Sequence, residues 1–272
     1  MCRVIVGLDP AIFIGECMND ILQEGILNTV PGLNEESRLS LVSKMEKYIN
    51  EIILFNSAYN LTNTSDHDEL VIRHILDSLS GYELIKKYAD DFAGGENPVL
   101  IGDIGSGGGL PGIPLAAAFL CAEADGTGAR NVQFKLVERM EKRCSFLENC
   151  CALLGLKNVE VQNLEAERVP AECFDLITFR AFRPLDEKMT KTLLRMVKPD
   201  GVLCAYKAKR DSIEQEMNGI KKLVSEYEVC PLKVPGLEDT ERNMVVLRHC
   251  ERTSFVIASE ARQSTNKETL CY

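Results

Sequence analysis

The stretch from Val99 to Pro114 carries the residues whose types and spacing point most directly to chemistry. It reads Val-Leu-Ile-Gly-Asp-Ile-Gly-Ser-Gly-Gly-Gly-Leu-Pro-Gly-Ile-Pro. A short apolar run that closes on an aspartate and then breaks into glycines is typical of a buried strand that turns sharply into a helix. Backbone amides in such a turn are free to face a ligand. The stretch therefore predicts a nucleotide-type site at a strand end of an α/β sheet.

Two classes of ligand fit this loop. Residues Gly107 to Gly112 match the G-x-G-x-x-G pattern of dinucleotide-binding proteins, which alone is a weak signal. However, Asp103 lies two positions before Gly105, where its carboxylate can hold the loop or meet the ammonium of a methionine moiety. Pro111 and Pro114 start the following helix and indicate a wider turn. These features favour S-adenosylmethionine over a nicotinamide dinucleotide.

A second acid, Glu138, ends the next predicted strand. A carboxylate at that place can accept hydrogen bonds from both hydroxyls of a ribose lying across the strand ends. The alternative is a solvated residue at a helix N-terminus, stabilised by the helix dipole. The glycine loop favours the ribose role.

Composition limits the class of protein. The chain has 272 residues, of which 45% are hydrophobic and 26% are charged, typical of a globular protein. We expect no membrane span and no export signal, because no apolar run approaches about 20 residues and the N-terminus lacks a signal-peptide pattern. The 11 cysteines, without paired C-x-x-C spacing, favour a reducing cytoplasm over a disulfide framework.

The histidine content and the net charge indicate whether metal ions and nucleic acids are expected partners. We expect no metal site, because His67, His74 and His249 do not lie at ligand spacing. The net charge of −10 disfavours nucleic-acid binding over the whole surface and leaves a local basic face open.

The spacing of apolar residues predicts the elements that position these groups. We expect a leader with a short helix over Ile12–Leu22, and then two amphipathic helices over Glu35–Ala58 and Asp68–Tyr88. After Gly94-Gly95, strands alternate with helices, which predicts a parallel sheet covered on both faces. The predicted strands are Val99–Ile104, Val132–Val137, Val159–Gln162, Leu176–Phe179, Val202–Lys207, Tyr227–Leu232 and Met244–Arg248, the last two as an antiparallel pair at one edge. The predicted helices are Ile113–Cys121, Arg139–Leu154, Leu185–Val197 and Asp211–Val224.

This pattern predicts three parts. Residues 1–95 form a leader and helices packing on the core, residues 96–250 form the cofactor-binding domain, and residues 251–272 form a disordered tail.

Several motifs in the same order resemble one family. Phe174-Asp175-Leu176-Ile177 and Lys198-Pro199-Asp200-Gly201 complete a pattern typical of methyltransferases. The more specific stretches are Phe55 to Thr62, Ile72 to Leu79, Asp103 to Pro114, Arg180-Ala181-Phe182, and Val234 to Leu237 followed by Glu241-Arg242. Over about Glu35 to Arg248 the chain resembles the RsmG ribosomal RNA methyltransferases, also called glucose-inhibited division protein B.

The resemblance implies a Rossmann-like class I S-adenosylmethionine-dependent methyltransferase, with a seven-stranded, mostly parallel sheet and an N-terminal helical extension. Its implied activity is methyl transfer to N7 of one guanine in 16S ribosomal RNA. The loop reasoning and the resemblance together give the cofactor-binding candidates: Asp103, Gly105, Gly107, Gly109 and Leu110 at the loop, Glu138 at the ribose, Ala166 and Glu167 beside the adenine, and Arg180 near the methyl-transfer centre. The chain departs from the family pattern at Phe55, Glu138 and Glu165, where tryptophan, aspartate and arginine are usual.

Guanine N7 has an available lone pair, so no catalytic base is required and alignment of the reactants supplies most of the acceleration. Arg180, after the fourth core strand, is the first candidate to donate a hydrogen bond to guanine O6, and a salt bridge to a nearby acid is its less favoured alternative. Arg73 and His74 are candidates for the catalytic site by the same resemblance. The structural alternative for His74 is a pair with Asp77 at i,i+3.

The expected partner is 16S ribosomal RNA within a small-subunit particle. The candidate RNA-binding residues are Arg139, Arg143, Lys207, Lys209, Arg210 and Arg242. Three other functions stay open: a small-molecule methyltransferase, a nicotinamide-dependent oxidoreductase and a non-catalytic cofactor-binding module.

Overall fold

A computed structural model describes residues 21–248 except 96, 129–130, 182–183 and 225. Most of the helix predicted over Ile12–Leu22 lies outside these residues. The tail predicted for residues 251–272 lies wholly outside them. The first described element is helix α1, over residues 21–29.

Seven strands form a single sheet in the order β3-β2-β1-β4-β5-β7-β6. They are β1 (Val99–Ile104), β2 (Val132–Glu138), β3 (Val159–Asn163), β4 (Phe174–Arg180), β5 (Val197–Lys207), β6 (Tyr227–Pro231) and β7 (Asn243–Arg248). Neighbouring pairs among β1 to β5 are parallel, whereas β7 runs antiparallel to both β5 and β6. The mostly parallel sheet with an antiparallel pair at one edge is confirmed.

The helices after β1, β2, β4 and β5 make the crossover connections that parallel strands require. They are α6 (Gly112–Asp125), α7 (Glu141–Leu154), α8 (Glu187–Met196) and α9 (Arg210–Ile220). The largest difference from the predicted bounds is at β5, which begins at Val197 instead of Val202. Val197 pairs with Phe174 across a register shift, so the Lys198-to-Gly201 turn is an irregularity within the strand pairing.

The predicted second N-terminal helix is interrupted. After α2 (Glu35–Tyr59), the chain forms α3 (His67–Leu70), a π-helical segment (Val71–Leu76), α4 (Asp77–Leu79) and then α5 (Tyr82–Phe92). The break lies at Gly81, where a Cβ would come within 2.3 Å of the Tyr206 hydroxyl. That hydroxyl donates to the Ser78 carbonyl oxygen at 2.6 Å. A residue of β5 therefore occupies the break, which the pattern of apolar residues does not reveal.

The N-terminal helices cover one face of the sheet. Tyr48 and Ile49 of α2 and Ile85 of α5 share one buried cluster with Phe119 of α6 and Phe134 of β2. The opposite face is covered by α8 and α9 in a second cluster. This arrangement brings the turn after α2 and the π-helical segment to the carboxyl ends of the central strands.

Candidate active site

A cavity of about 740 Å³ opens at the carboxyl ends of β1, β2 and β4. Of the residues predicted for the site, its lining includes His74, Gly105, Gly107, Leu110, Glu138, Arg139, Arg143, Ala166, Glu167 and Arg180. The lining omits Arg73, Asp103, Gly109, Lys207, Lys209, Arg210 and Arg242. The structure thus brings together most of the predicted cofactor residues and only part of the predicted RNA-binding set.

The glycine loop, Gly105 to Leu110, is held from behind by α2. The Tyr48 hydroxyl donates a hydrogen bond to the Gly108 carbonyl oxygen. Gly109 has φ +93°, and a Cβ there would lie 2.8 Å from the Tyr48 hydroxyl and 2.6 Å from a methyl group of Ile113. Gly109 therefore allows the close approach of α2 to the loop; it is not in the cavity lining, and its contact with the cofactor stays a prediction.

Asp103 holds the loop from beneath. It is only 1% exposed, and its Oδ2 accepts a hydrogen bond from the Gly112 amide at 3.1 Å. Burial raises the pKa of this carboxyl to about 7. This hydrogen bond shows the loop-support role of Asp103, and its contact with the ammonium of a methionine moiety stays a prediction.

Glu138 joins the loop to the end of β2. Its Oε2 accepts from the Gly107 amide at 3.0 Å and its Oε1 accepts from the Met140 amide at 2.8 Å. A carboxylate oxygen has two lone pairs, so each oxygen can accept one further hydrogen bond. Glu138 therefore fixes the loop and still offers two acceptors to a ligand in the cavity.

The turn after α2 forms another side of the cavity, which the sequence reasoning missed. Leu61, Thr62 and Asn63 line it. The Asn56 Oδ1 accepts from the Leu61 and Thr62 amides, both at 2.9 Å, and so fixes the turn. The available signal was the family-like stretch Phe55 to Thr62, to which no site role was attached.

Arg180 ends β4 and enters a buried charge network. Its Nη1 donates to Asp77 Oδ2 at 2.7 Å and to the Arg73 carbonyl oxygen at 3.1 Å. Asp77, whose side chain is 8% exposed, accepts a second hydrogen bond at Oδ1 from Arg242 Nε at 3.1 Å. The less favoured alternative for Arg180, a salt bridge, is thus present in the structure. Arg242 lies in this network and not free at the surface.

His74 and Arg73 have different places. The His74 ring lines the cavity, and its Nδ1 lies 3.1 Å from Arg180 Nη2. Burial, followed by the positive charge of Arg180, lowers the pKa of His74 to about 4. Among the described contacts, the His74 ring faces Arg180 and the Asp77 carboxylate faces Arg180 and Arg242, so the i,i+3 pair of His74 with Asp77 is not formed. The Arg73 side chain is 54% exposed, with Nε 3.8 Å from Glu69, so only its carbonyl oxygen contacts the network.

Besides Arg180, the arginine and lysine residues that line the cavity are Arg139, Arg143 and Lys188. Lys188, an exposed residue of α8, was missed, because a single lysine on a helix carries no distinguishing pattern. Lys209 and Arg210 are exposed at the start of α9. Lys207 is instead 14% exposed, with Nζ 2.6 Å from Glu216 Oε2.

Ala166 and Glu167, in a short 3₁₀ helix (Ala166–Arg168), line the cavity, and their place beside the adenine stays a prediction. Within the described residues, no helix is long and apolar enough to cross a membrane, and no group of side chains is arranged to hold a metal ion.

The sheet order, the glycine loop after β1 and the acid after β2 define a Rossmann-like, class I S-adenosylmethionine-dependent methyltransferase fold. The CurJ carbon methyltransferase has a similar fold, with a TM-score of 0.52 at 10% identity over 90% of this chain and 72% of that chain. Residues 41–245 match the family model GidB, described as rRNA small subunit methyltransferase G, and the chain belongs to that family.

Curated relatives agree with the family model. The chain is 37% identical to the ribosomal RNA small subunit methyltransferase G of Treponema denticola, over 84% of this chain and 94% of the relative. It is 35% identical to the protein of the same name from Treponema pallidum, over 85% of this chain and 94% of the relative.

Proposed function

We propose that this protein transfers a methyl group from S-adenosylmethionine to N7 of a guanine in 16S ribosomal RNA. The observation that carries the proposal is the cavity at the carboxyl edge of the sheet. The glycine loop, Glu138 and His74 line this cavity. Glu138 accepts hydrogen bonds from two backbone amides, and the Nδ1 of His74 faces Arg180. Membership of the methyltransferase family supports the choice of RNA.

The residues present fit this cofactor. A volume of about 740 Å³ lies in the range of sites for small molecules. We assign the ribose hydroxyls to Glu138, which offers two acceptors, and the adenine to the part of the cavity that Ala166 and Glu167 line. S-adenosylmethionine, when bound, supplies an electrophilic methyl group on a sulfonium. The buried Asp103 keeps the loop in place by accepting from Gly112.

The proposed acceptor, guanine N7, needs no deprotonation. A general base must lie within hydrogen-bond reach of the proton that it removes. The carboxylates that line the cavity are Glu138, Glu165 and Glu167, and methyl transfer to guanine N7 needs no proton removal by any of them. The lone pair of guanine N7 attacks directly, so holding the base in line with the methyl group is the main task of the protein.

The rim of the cavity supports an RNA partner. Arg139, Arg143 and Lys188 line it on a chain whose net charge is −10. Lysine and arginine bind phosphates, whereas an acidic body repels RNA elsewhere. This contrast favours a folded RNA surface, such as that of a small-subunit particle, which approaches through the rim alone. Lys209 and Arg210 extend the proposed surface, and Lys207 and Arg242 are left out because each is paired with a carboxylate of this chain.

The first experiment separates cofactor classes. Calorimetric titration with S-adenosylmethionine and with NAD should give binding of the former only, and tight NAD binding would favour an oxidoreductase. Glu138→Gln should weaken S-adenosylmethionine binding by about tenfold or more, because the amide has one acceptor oxygen where the carboxylate has two. Glu160→Gln, on the neighbouring strand β3 and paired with Lys135, is the matched control.

The second experiment identifies the product. Methylated guanines are mapped on 16S ribosomal RNA from cells with and without the protein. We expect one N7-methylguanine to be lost in its absence and regained on complementation. An unchanged map would overturn the proposal and leave the small-molecule methyltransferase or the non-catalytic module.

A further inference from the structure

We propose that His74 determines the choice of base: Arg180 holds its ring as the Nε2–H tautomer, and the Nε2–H donates a hydrogen bond to O6 of the guanine. The recognition of guanine rests on the function proposed above, whereas the tautomer does not.

The tautomer follows from the chemistry of the contact between Arg180 and His74. A guanidinium has five N–H donors and no acceptor. The nitrogen that faces it, Nδ1 at 3.1 Å from Nη2, must therefore be the acceptor and carry no proton. A neutral imidazole has one N–H, which must then be on Nε2. The contact thus makes Nε2 a donor.

The position of the ring is fixed by the same network. Arg180 is anchored by Asp77 Oδ2, and Asp77 is anchored in turn by Arg242. The backbone of His74 is also held, because its carbonyl oxygen accepts from the Ser78 hydroxyl at 2.6 Å. His74 lies in the π-helical segment Val71–Leu76, and such segments occur frequently at functional sites. A ring fixed in this way can select a ligand by geometry.

The charges around the ring keep it neutral. Burial and the positive charges of Arg180 and Arg73 lower the pKa, Asp77 and Glu69 raise it, and the result is about 4. The ring therefore remains a neutral donor at physiological pH. A protonated ring would add a positive charge beside Arg180, in a cavity proposed to receive a cationic cofactor.

The free nitrogen is available to a ligand. His74 lines the cavity, and its Nε2 is neither hydrogen-bonded to any described residue nor sealed in the interior. Guanine has an acceptor, O6, beside N7 on one edge, whereas adenine has an amino donor at that place. A donor on the cavity wall therefore binds O6 of guanine, whereas it would face the amino donor of adenine. It also leaves the N7 lone pair free to react.

Arg180, the first candidate for this contact, is less suited to it. Its Nη1 donates to Asp77 and to the carbonyl oxygens of Arg73 and His74, and one of the two N–H groups of its Nη2 donates to the His74 ring, so these contacts fix the guanidinium beside the ring. Arg180 is therefore better described as a positioning residue for His74 than as the group that contacts the base.

The tautomer is tested by NMR of the full chain labelled with ¹⁵N-histidine. The sequence has three histidines, so the His67→Gln and His74→Gln variants assign their signals by loss. We expect long-range ¹H–¹⁵N correlations to show a neutral His74 ring with the proton on Nε2 at pH 7. A proton on Nδ1, or a charged ring, would overturn the proposal.

The role in recognition is tested on small subunits from cells that lack the protein. His74→Leu should lower kcat/KM by about tenfold or more, and His74→Gln, whose side-chain amide can donate, should recover most of that loss. The dissociation constant for S-adenosylmethionine should change by less than about twofold in both variants, because the lost bond is to the base. The same two substitutions at His67, which pairs with Glu46 outside the cavity lining, are the matched controls.

Each other outcome is decisive. Equal losses in the Gln and Leu variants, unchanged activity in both, or a parallel loss of cofactor affinity would each overturn the recognition role. If the wild-type protein forms no N7-methylguanine, the proposed function fails, and the contact with guanine fails with it, while the NMR result still decides the tautomer.

Discussion

Two walls of the cavity are built by different means. The loop wall consists of Gly105 to Leu110 and Glu138, and backbone amides, carboxylates and the Tyr48 hydroxyl hold it. The charged wall consists of His74 and Arg180, and Asp77 and Arg242 support it from behind through two ion pairs on the single carboxylate of Asp77. The first wall depends on close backbone approach. The second depends on charge balance between Asp77 and two arginines, Arg180 and Arg242, each of which lies more than 100 positions from Asp77 in the sequence.

The largest expected effect is on the charged wall. Asp77→Ala removes the only described carboxylate that contacts Arg180 and Arg242, and should lower the free energy of unfolding by about 3–5 kcal/mol, because it leaves buried cations unpaired. Chemical denaturation measures this change. In the control Asp90→Ala, an exposed i,i+4 pair with Lys86 is lost, which should cost about 0.5 kcal/mol or less. Similar losses in the two variants would contradict the importance of this network.

The buried acid behind the loop wall predicts a pH dependence. The pKa of Asp103 is about 7 in the folded chain and 3.8 in its ordinary state, so between these values the folded state binds more protons. Stability should therefore fall as pH rises from about 4 to 7, by up to about 4 kcal/mol from this group. Asp103→Asn should flatten the profile of unfolding free energy over that window. An unaltered slope in the variant would argue against the buried carboxyl as its source.

Close approach in the loop wall is tested at two glycines with positive φ. A Cβ at Gly109 would meet Ile113, Tyr48 and Leu147 within 2.9 Å, whereas at Gly126 nothing lies within 4 Å. Gly109→Ala should destabilise the protein by about 1–3 kcal/mol through overpacking and weaken S-adenosylmethionine binding by about tenfold. Gly126→Ala should cost about 1 kcal/mol from backbone strain alone and leave cofactor binding unchanged. If cofactor affinity fell equally in both, packing behind the loop would not matter.

The smallest effect is expected at the rim, outside both walls. Lys188→Glu should weaken binding to undermethylated small subunits and reduce the slope of log K against log salt by about 1, with cofactor binding unaltered. Lys191→Glu, on the same helix but outside the cavity lining, is the control. Equal slopes of log K against log salt for the two variants would show that Lys188 does not contact the RNA.

The sequence alone specified most of the loop wall. The apolar run before Asp103, the glycines after it and the acid at Glu138 are local signals, because strand, turn and helix start follow one another within a few residues. The sheet was also predicted from local signals, namely strands that alternate with helices and a final pair of strands close together in the sequence. The place of Leu61 to Asn63 in the cavity lining was missed, since it depends on how α2 packs.

Only the tertiary structure decided the charged wall. Arg180, Asp77 and Arg242 come from a strand, a helix and a loop, and nothing in their spacing shows that one carboxylate binds both arginines. The break at Gly81 likewise depends on the hydroxyl of a tyrosine from β5. Backbone conformation is set mainly by neighbouring residues, whereas the partner of a charged side chain is set by packing between distant segments. The amino-acid sequence therefore determined where the glycine loop and its acid lie, and the folded chain determined which groups surround His74.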